Sequence, residues 1–97
     1  GWHLYPLLID FARAGQDRAS VMRALPADGI GTQLHYIPVP DQPYWRAAAP
    51  ATDCPGARAY AKRALSLPLF PAMAESDVGR VVAALQGVLE RARPCVA

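Results

Sequence analysis

The chain opens on an almost unbroken apolar run, Trp2 to Phe11 (WHLYPLLIDF), with the turn-prone Gly15 beyond it. That pattern predicts a mostly buried β-strand. Pro6 has no N–H to give a ladder, so the strand is expected at a sheet edge or with a bulge. Asp17 then offers a helix N-cap, and Val21, Met22 and Leu25 fall on one helical face. Pro26 and Gly29 close that helix after two or three turns. From Gly29 to Tyr36 (GIGTQLHY) the pattern returns to alternation, with Thr32, Leu34 and Tyr36 on one side and Gln33 and His35 on the other. This predicts a second strand with two chemically distinct faces.

The four prolines between Pro38 and Pro50 predict a long irregular loop, of the kind that in a compact domain is usually functional or else disordered. A helix is expected from Pro55 to Ala64, with Ala57, Tyr60, Ala61 and Ala64 as its inner stripe. Leu65 to Phe70 (LSLPLF) reads as a short apolar strand that Pro68 and Pro71 keep brief. The last helix has the clearest pattern. Ser76 is expected to cap it, with Asp77 in its first turn. Val78, Val81, Val82, Leu85, Val88 and Leu89 recur at the spacing of one buried face. Arg91 and Arg93 suit its C-terminal dipole end, and Pro94 stops it.

The order is therefore strand, helix, strand, long loop, helix, strand, helix, in a single domain spanning residues 1–97. The fold class this implies is α+β: a small three-stranded, largely antiparallel sheet with helices packed on one face.

Composition narrows the function classes. Of 97 residues, 53% are hydrophobic and 19% charged, enough apolar content for a core and too much for intrinsic disorder. The net charge is only +2 and the basic residues are scattered, which argues against a nucleic-acid or anionic-membrane surface. No run approaches the ~18 apolar residues of a membrane span. Cys54 and Cys95 stand in no metal-like spacing, and so few cysteines fit a reduced, cytoplasmic setting. A chain that starts at Gly1 and runs at once into a core strand is expected to be the end of a longer polypeptide.

Few residues could carry chemistry. His3 and His35 are the only imidazoles. Either could be a general acid, a phosphate contact or a hydrogen-bonded core histidine; His3, among apolar neighbours, reads as the last. His35 stands at the strand end that opens into the Pro-rich loop, where binding groups tend to cluster. Lys62, the only lysine, lies beside Arg63 in AYAKRAL and reads as a solvated helix residue, not a Schiff-base former. The loop Pro38 to Trp45 (PVPDQPYW) sets Gln42, Tyr44 and Trp45 among rigid prolines, which suits stacking on and hydrogen bonding to a base or sugar, or equally a packed surface loop. No Ser-His-Asp set, carboxylate pair, phosphate-cradling glycine loop or metal spacing can be assembled.

Taken in order, HLYPLLIDF, GIGTQLHYIPVPDQPYW, a Pro-started helix, and LSLPLFPAM ahead of a Ser-Asp-capped helix resemble one family. They look like the C-terminal small domain of the DegT/DnrJ/StrS aminotransferases, pyridoxal-phosphate enzymes of aspartate-aminotransferase fold acting on nucleotide-linked keto-sugars. The resemblance covers essentially all of this chain and only the last part of a family member. GIGTQLHYIPV…QPYW is the most specific stretch and looks most like the pseudaminic-acid-pathway branch, which aminates the C4 ketone of a UDP-linked N-acetyl, 6-deoxy sugar.

The resemblance implies a two-stage transamination, with L-glutamate the usual amino donor. The cofactor lysine, the aspartate facing the pyridine nitrogen and most phosphate contacts would lie upstream, in the large domain. No catalytic, cofactor-binding or metal residue is then expected among these 97, which alone should be inactive and free of pyridoxal phosphate. The expected partners are the nucleotide-sugar substrate, the chain's own large domain and a second subunit of a homodimer. By motif position His35 and Tyr36 would point toward the sugar and cofactor, and Gln42, Pro43 and Tyr44 would border the nucleotide-sugar channel. Pro40 stands where many relatives have histidine, and Trp45 where a second tyrosine is usual; both leave the sugar open. Pro26 should shorten its helix by a turn. Two other readings stay open: a non-catalytic binding or assembly module, and a dehydratase branch of the superfamily in which a histidine replaces the upstream lysine.

Overall fold

Tyr5–Leu8 forms β1 and pairs antiparallel with β2, Ala64–Leu67, in the register Tyr5↔Leu67, Pro6↔Ser66, Leu7↔Leu65 and Leu8↔Ala64. The computed structural model describes residues 1–48 and 53–91; the expectations placed on Pro50, Arg93, Pro94 and Cys95 lie outside them. Beyond β1 the Ile9 N–H donates to Arg63 O at 2.8 Å, which makes the odd-numbered residues of β1 the hydrogen-bonded ones. Pro6 therefore sits where a backbone N–H would point away from β2, at an open edge, and its missing donor breaks no ladder bond. The strand is shorter than the apolar run predicts, because Trp2 to Leu4 extend past the end of β2, and it is mostly exposed rather than buried, with only Leu7 half-buried.

The expected three-stranded sheet is not what forms. β1 and β2 make a two-stranded sheet, and the segment 29–36 contributes a single bridge. Gln33 N–H donates to Ser66 O at 3.1 Å, and Ser66 N–H donates to Gln33 O at 2.8 Å. The reason lies in what the free edge of β2 can offer. Ala64 N–H is already bonded to Tyr60 O, and Ala64 O accepts from Arg18 Nη1 at 3.3 Å. Pro68 has no N–H at all. Ser66 alone keeps an outward donor and acceptor, so one residue of the third segment pairs and the rest do not.

Arg18–Ala24 forms α1. Asp17 is its N-cap, accepting from Ser20 N–H at 2.8 Å and from the Ser20 hydroxyl at 3.0 Å. The helix tightens into a 3-10 turn, Leu25–Asp28, which Gly29 ends in the left-handed conformation at φ 74°. A β-carbon there would stand 2.9 Å from Arg80 Nη2, so glycine suits both the backbone and the space.

The Pro-rich stretch is more regular than its composition predicts. A 3-10 turn, Val39–Asp41, leads into α2, Pro43–Ala48. Pro43 occupies the first helical position, where a missing N–H leaves nothing unsatisfied and the fixed φ favours the helix. Neither turn nor helix buries a side chain.

α3, Pro55–Arg63, forms where expected, but its inner stripe does not. None of its residues is buried: Ala57 and Tyr60 are exposed and Ala61 is half-buried, while Ala64, one residue past its end, is the buried member of the stripe. Polar contacts hold the helix instead: the Arg18 guanidinium donates to Ala61 O as well as Ala64 O, near its C-terminal end.

The core lies between the sheet and α1 and α4, the latter Glu75–Arg91. Ile9, Phe11, Val21, Leu25, Ile30, Leu65, Val81, Leu85 and Val88 are buried together there. Each such side chain contributes on the order of 2 kcal/mol by leaving water. The buried stripe of α4 is narrower than the sequence pattern: Val81, Leu85 and Val88 face the core and Leu89 packs beside them, while Val78 and Val82 are 50% and 45% exposed. α1 and the 25–28 turn are the elements that meet α4, and they leave that flank open. The cap also moves two residues earlier: Asp77 Oδ2 accepts from Ala74 N–H at 2.9 Å, so Ala74 rather than Ser76 occupies the cap position. No described helix is long and apolar enough to cross a membrane.

Candidate functional site

The bridge between Gln33 and Ser66 places the next polar side chain of the same face, His35, within reach of the Ser66 side chain. His35 Nδ1 and Ser66 Oγ are 2.8 Å apart. Ser66 is buried at the centre of β2, so the hydroxyl orients the imidazole against a fixed wall and leaves Nε2 as the second hydrogen-bonding atom of the ring. Tyr36 packs edge-on to His35, ring centroids 4.7 Å apart, with its own ring largely in solvent.

An open cleft of about 250 Å³ borders this pair, lined by His3, Gly31, Thr32, Gln33, His35, Ser66 and the residues that follow Ser66. His3 is therefore not the core histidine that its apolar neighbours predict. It is exposed at the rim of the cleft, because the apolar run outlasts its partner strand.

The Pro-rich segment supplies a second group. Gln42 Nε2 donates to Ile37 O at 3.2 Å, folding the segment back toward the residue that follows Tyr36. Pro43 and Tyr44 begin α2. Tyr44 is 71% exposed and stands edge-on to Trp45 at 5.1 Å. The five expected substrate residues thus fall into two clusters, His35 with Tyr36 on the bridge to β2 and Gln42 with Pro43 and Tyr44 on the segment beyond.

Two participants escaped the sequence reading. Ser66 was legible only as the polar position in LSLPLF. The other is an ion pair: Arg58 Nη1 donates to Asp41 Oδ1 at 2.7 Å and to Oδ2 at 2.8 Å. That bond, and then the carboxylate's charge, hold the Arg58 guanidinium above its ordinary pKa.

Among the described residues, no group of three or more His, Cys, Asp or Glu side chains stands close enough to hold a metal ion. Lys62 is exposed on the last turn of α3, as expected, and lines a separate surface groove with Arg58 and Arg63. Cys54 is half-buried, with a free thiol, at the start of α3.

His35 and Ser66 thus line an open cleft, and the exposed rings of Tyr36, Tyr44 and Trp45 stand outside its lining. The chain belongs to the DegT/DnrJ/EryC1/StrS aminotransferase family, whose sequence profile matches residues 1–86. It is 40% identical over 94 residues to the spore coat polysaccharide biosynthesis protein SpsC of Bacillus subtilis (strain 168), covering 94% of this chain and 24% of that protein. Its fold matches Helicobacter pylori PseC, an aminotransferase involved in the biosynthesis of pseudoaminic acid, at a TM-score of 0.82 and 20% identity, over 92% of this chain and 24% of that one. Spr1654 of Streptococcus pneumoniae, in its PMP-form, matches at 0.80 and 22% identity over 94% of this chain and 23% of that one. The chain thus spans about a quarter of the length of these relatives.

A pyridoxal-phosphate site needs a lysine in a sheltered position beside the ring of the cofactor. The only lysine here is solvated, on a different surface from the His35 cleft. Lys62 does not stand in such a position.

Proposed function

We propose that these residues form the substrate side of a pyridoxal-phosphate-dependent aminotransferase, which transfers an amino group from L-glutamate to the C4 ketone of a UDP-linked deoxy N-acetyl keto-sugar. The observation that carries this reading is the His35–Ser66 pair beside Tyr36: His35 and Ser66 line an open cleft, and His35 and Tyr36 lie in the stretch whose resemblance to the family is most specific. His35 Nε2 serves a sugar oxygen, and the Tyr36 ring covers the sugar's apolar face. Gln42 offers an amide to the nucleotide, and Tyr44 a ring with its edge already braced by Trp45. Pro43 keeps that corner rigid. The cofactor's chemistry belongs to a part of the polypeptide beyond these residues.

Exposed apolar groups support a packed setting for this unit. Trp2 is 95% exposed, and Leu4, Leu8, Ile37 and Phe70 are also open to solvent. Such groups fit a large domain of the same polypeptide and the second subunit of a cytoplasmic homodimer.

The test is to incubate the full-length enzyme with 15N-glutamate and a UDP-4-keto-6-deoxy-N-acetylhexosamine. The expected product is an amino sugar carrying the label at C4. Consumption of the keto-sugar without labelled amine, as from a dehydratase, or no turnover at all, would overturn the proposal.

A further inference from the structure

Residues 38–48 carry three of the five groups assigned to the substrate, yet nothing in the 3-10 turn Val39–Asp41 or in α2 is buried. A segment without a buried apolar anchor is not held in place by packing. Its position has to come from stiff backbone and specific polar contacts. Pro38, Pro40 and Pro43 supply the stiffness. The Gln42–Ile37 hydrogen bond closes the segment on itself. The Arg58–Asp41 contact, by contrast, reaches across to α3, and Asp41 immediately precedes Gln42.

We propose that the Arg58–Asp41 pair positions the substrate segment: it fixes residues 38–48 against α3 and so sets where Gln42 and Tyr44 meet the nucleotide. This rests on the functional reading above. Both Asp41 oxygens converge on one guanidinium nitrogen, which constrains the direction of the carboxylate as well as its distance. The side chains are 42% and 27% exposed, so water screens the pair and its contribution to overall stability is small. Losing it should move the segment without unfolding the domain. Arg58 and Asp41 touch no reacting atom in this scheme; they are positioning residues.

In the full-length enzyme, Arg58→Ala, Asp41→Ala, the double variant and Arg58→Lys separate this role from a purely structural one. The readouts are kcat, KM for the nucleotide sugar, KM for the amino donor, and the calorimetric Kd for UDP alone. Each alanine variant is expected to raise the nucleotide-sugar KM and the UDP Kd about three-fold, the scale of one screened ion pair. The double variant should be no worse than either single one, Arg58→Lys should recover most of the loss, and kcat and the donor KM should stay unchanged. Unchanged sugar KM and UDP Kd, additive losses in the double variant, or a parallel fall in kcat and rise in both KM values would each overturn the proposal. A wild-type enzyme that forms no amino sugar would defeat the functional reading, whereas UDP binding weakened by the same variants would still support the pair.

Discussion

Nδ1 of His35 lies 2.8 Å from the Ser66 hydroxyl, across the one bridge that ties the 29–36 segment to β2. Ser66 thereby joins backbone architecture to side-chain chemistry: its N–H and C=O pair with Gln33 while its Oγ orients the imidazole. Ser66→Ala keeps the bridge and removes only the orienting group. A net hydrogen bond of about 1 kcal/mol corresponds to roughly five-fold in affinity. The expected outcome is a rise of that size in the nucleotide-sugar KM, with the donor KM unchanged, measured by steady-state kinetics on the full-length enzyme.

Tyr44 is held edge-on by Trp45 and otherwise faces solvent. Its ring is available to stack and its hydroxyl to hydrogen-bond. Tyr44→Phe should weaken UDP binding only slightly. Tyr44→Ala, losing an aromatic contact of about 1 kcal/mol, should weaken it by roughly five-fold. Calorimetric titration with UDP checks both.

How much of this was legible in the sequence depended on whether a residue's neighbours in the chain are also its neighbours in space. The Asp17 cap, the Pro26–Gly29 stop and the Val81, Leu85, Val88 stripe follow from local rules, and the structure holds them. The Gly29–Tyr36 alternation also followed a local rule and yielded one bridge, because Arg18, Tyr60 and Pro68 had removed the other pairing groups of β2. Those are long-range facts with no local signature. The inner stripe of α3 failed for a related reason: periodicity shows which residues share a face, not whether anything covers it. Within the candidate site, His35 was visible by its place at a strand end. Ser66 and the Asp41–Arg58 contact were not, since each joins residues far apart in the chain.

Asp17 makes the start of α1 sensitive to acid. The Ser20 N–H, and then the Ser20 hydroxyl, hold its carboxyl below the ordinary value of 3.8. A carboxyl whose folded pKa is depressed stabilises the fold above its unfolded pKa, and the contribution disappears as pH falls through the lower, folded value. Amide protection across residues 18–24, corrected for intrinsic exchange rates, should therefore be flat at neutral pH and decline below about pH 4. Asp17→Asn, which can still cap but cannot titrate, should flatten the decline.

Lys62 is solvated on α3, apart from the His35 cleft. Lys62→Gln should leave transamination within about two-fold of wild type, the range of an ordinary surface change. Borohydride reduction of the enzyme, followed by peptide mapping, should find no phosphopyridoxyl group on residues 55–63.

The most direct measurement is hydrogen exchange of the full-length enzyme with and without a saturating UDP-linked N-acetyl sugar. If residues 31–45 form one wall of the nucleotide-sugar site, their amides should gain protection on binding, while those of α1 and the solvent flank of α4 around Val78 and Val82 should not change. Binding that leaves 31–45 unprotected would contradict the assignment of His35, Tyr36, Gln42, Pro43 and Tyr44 to the substrate.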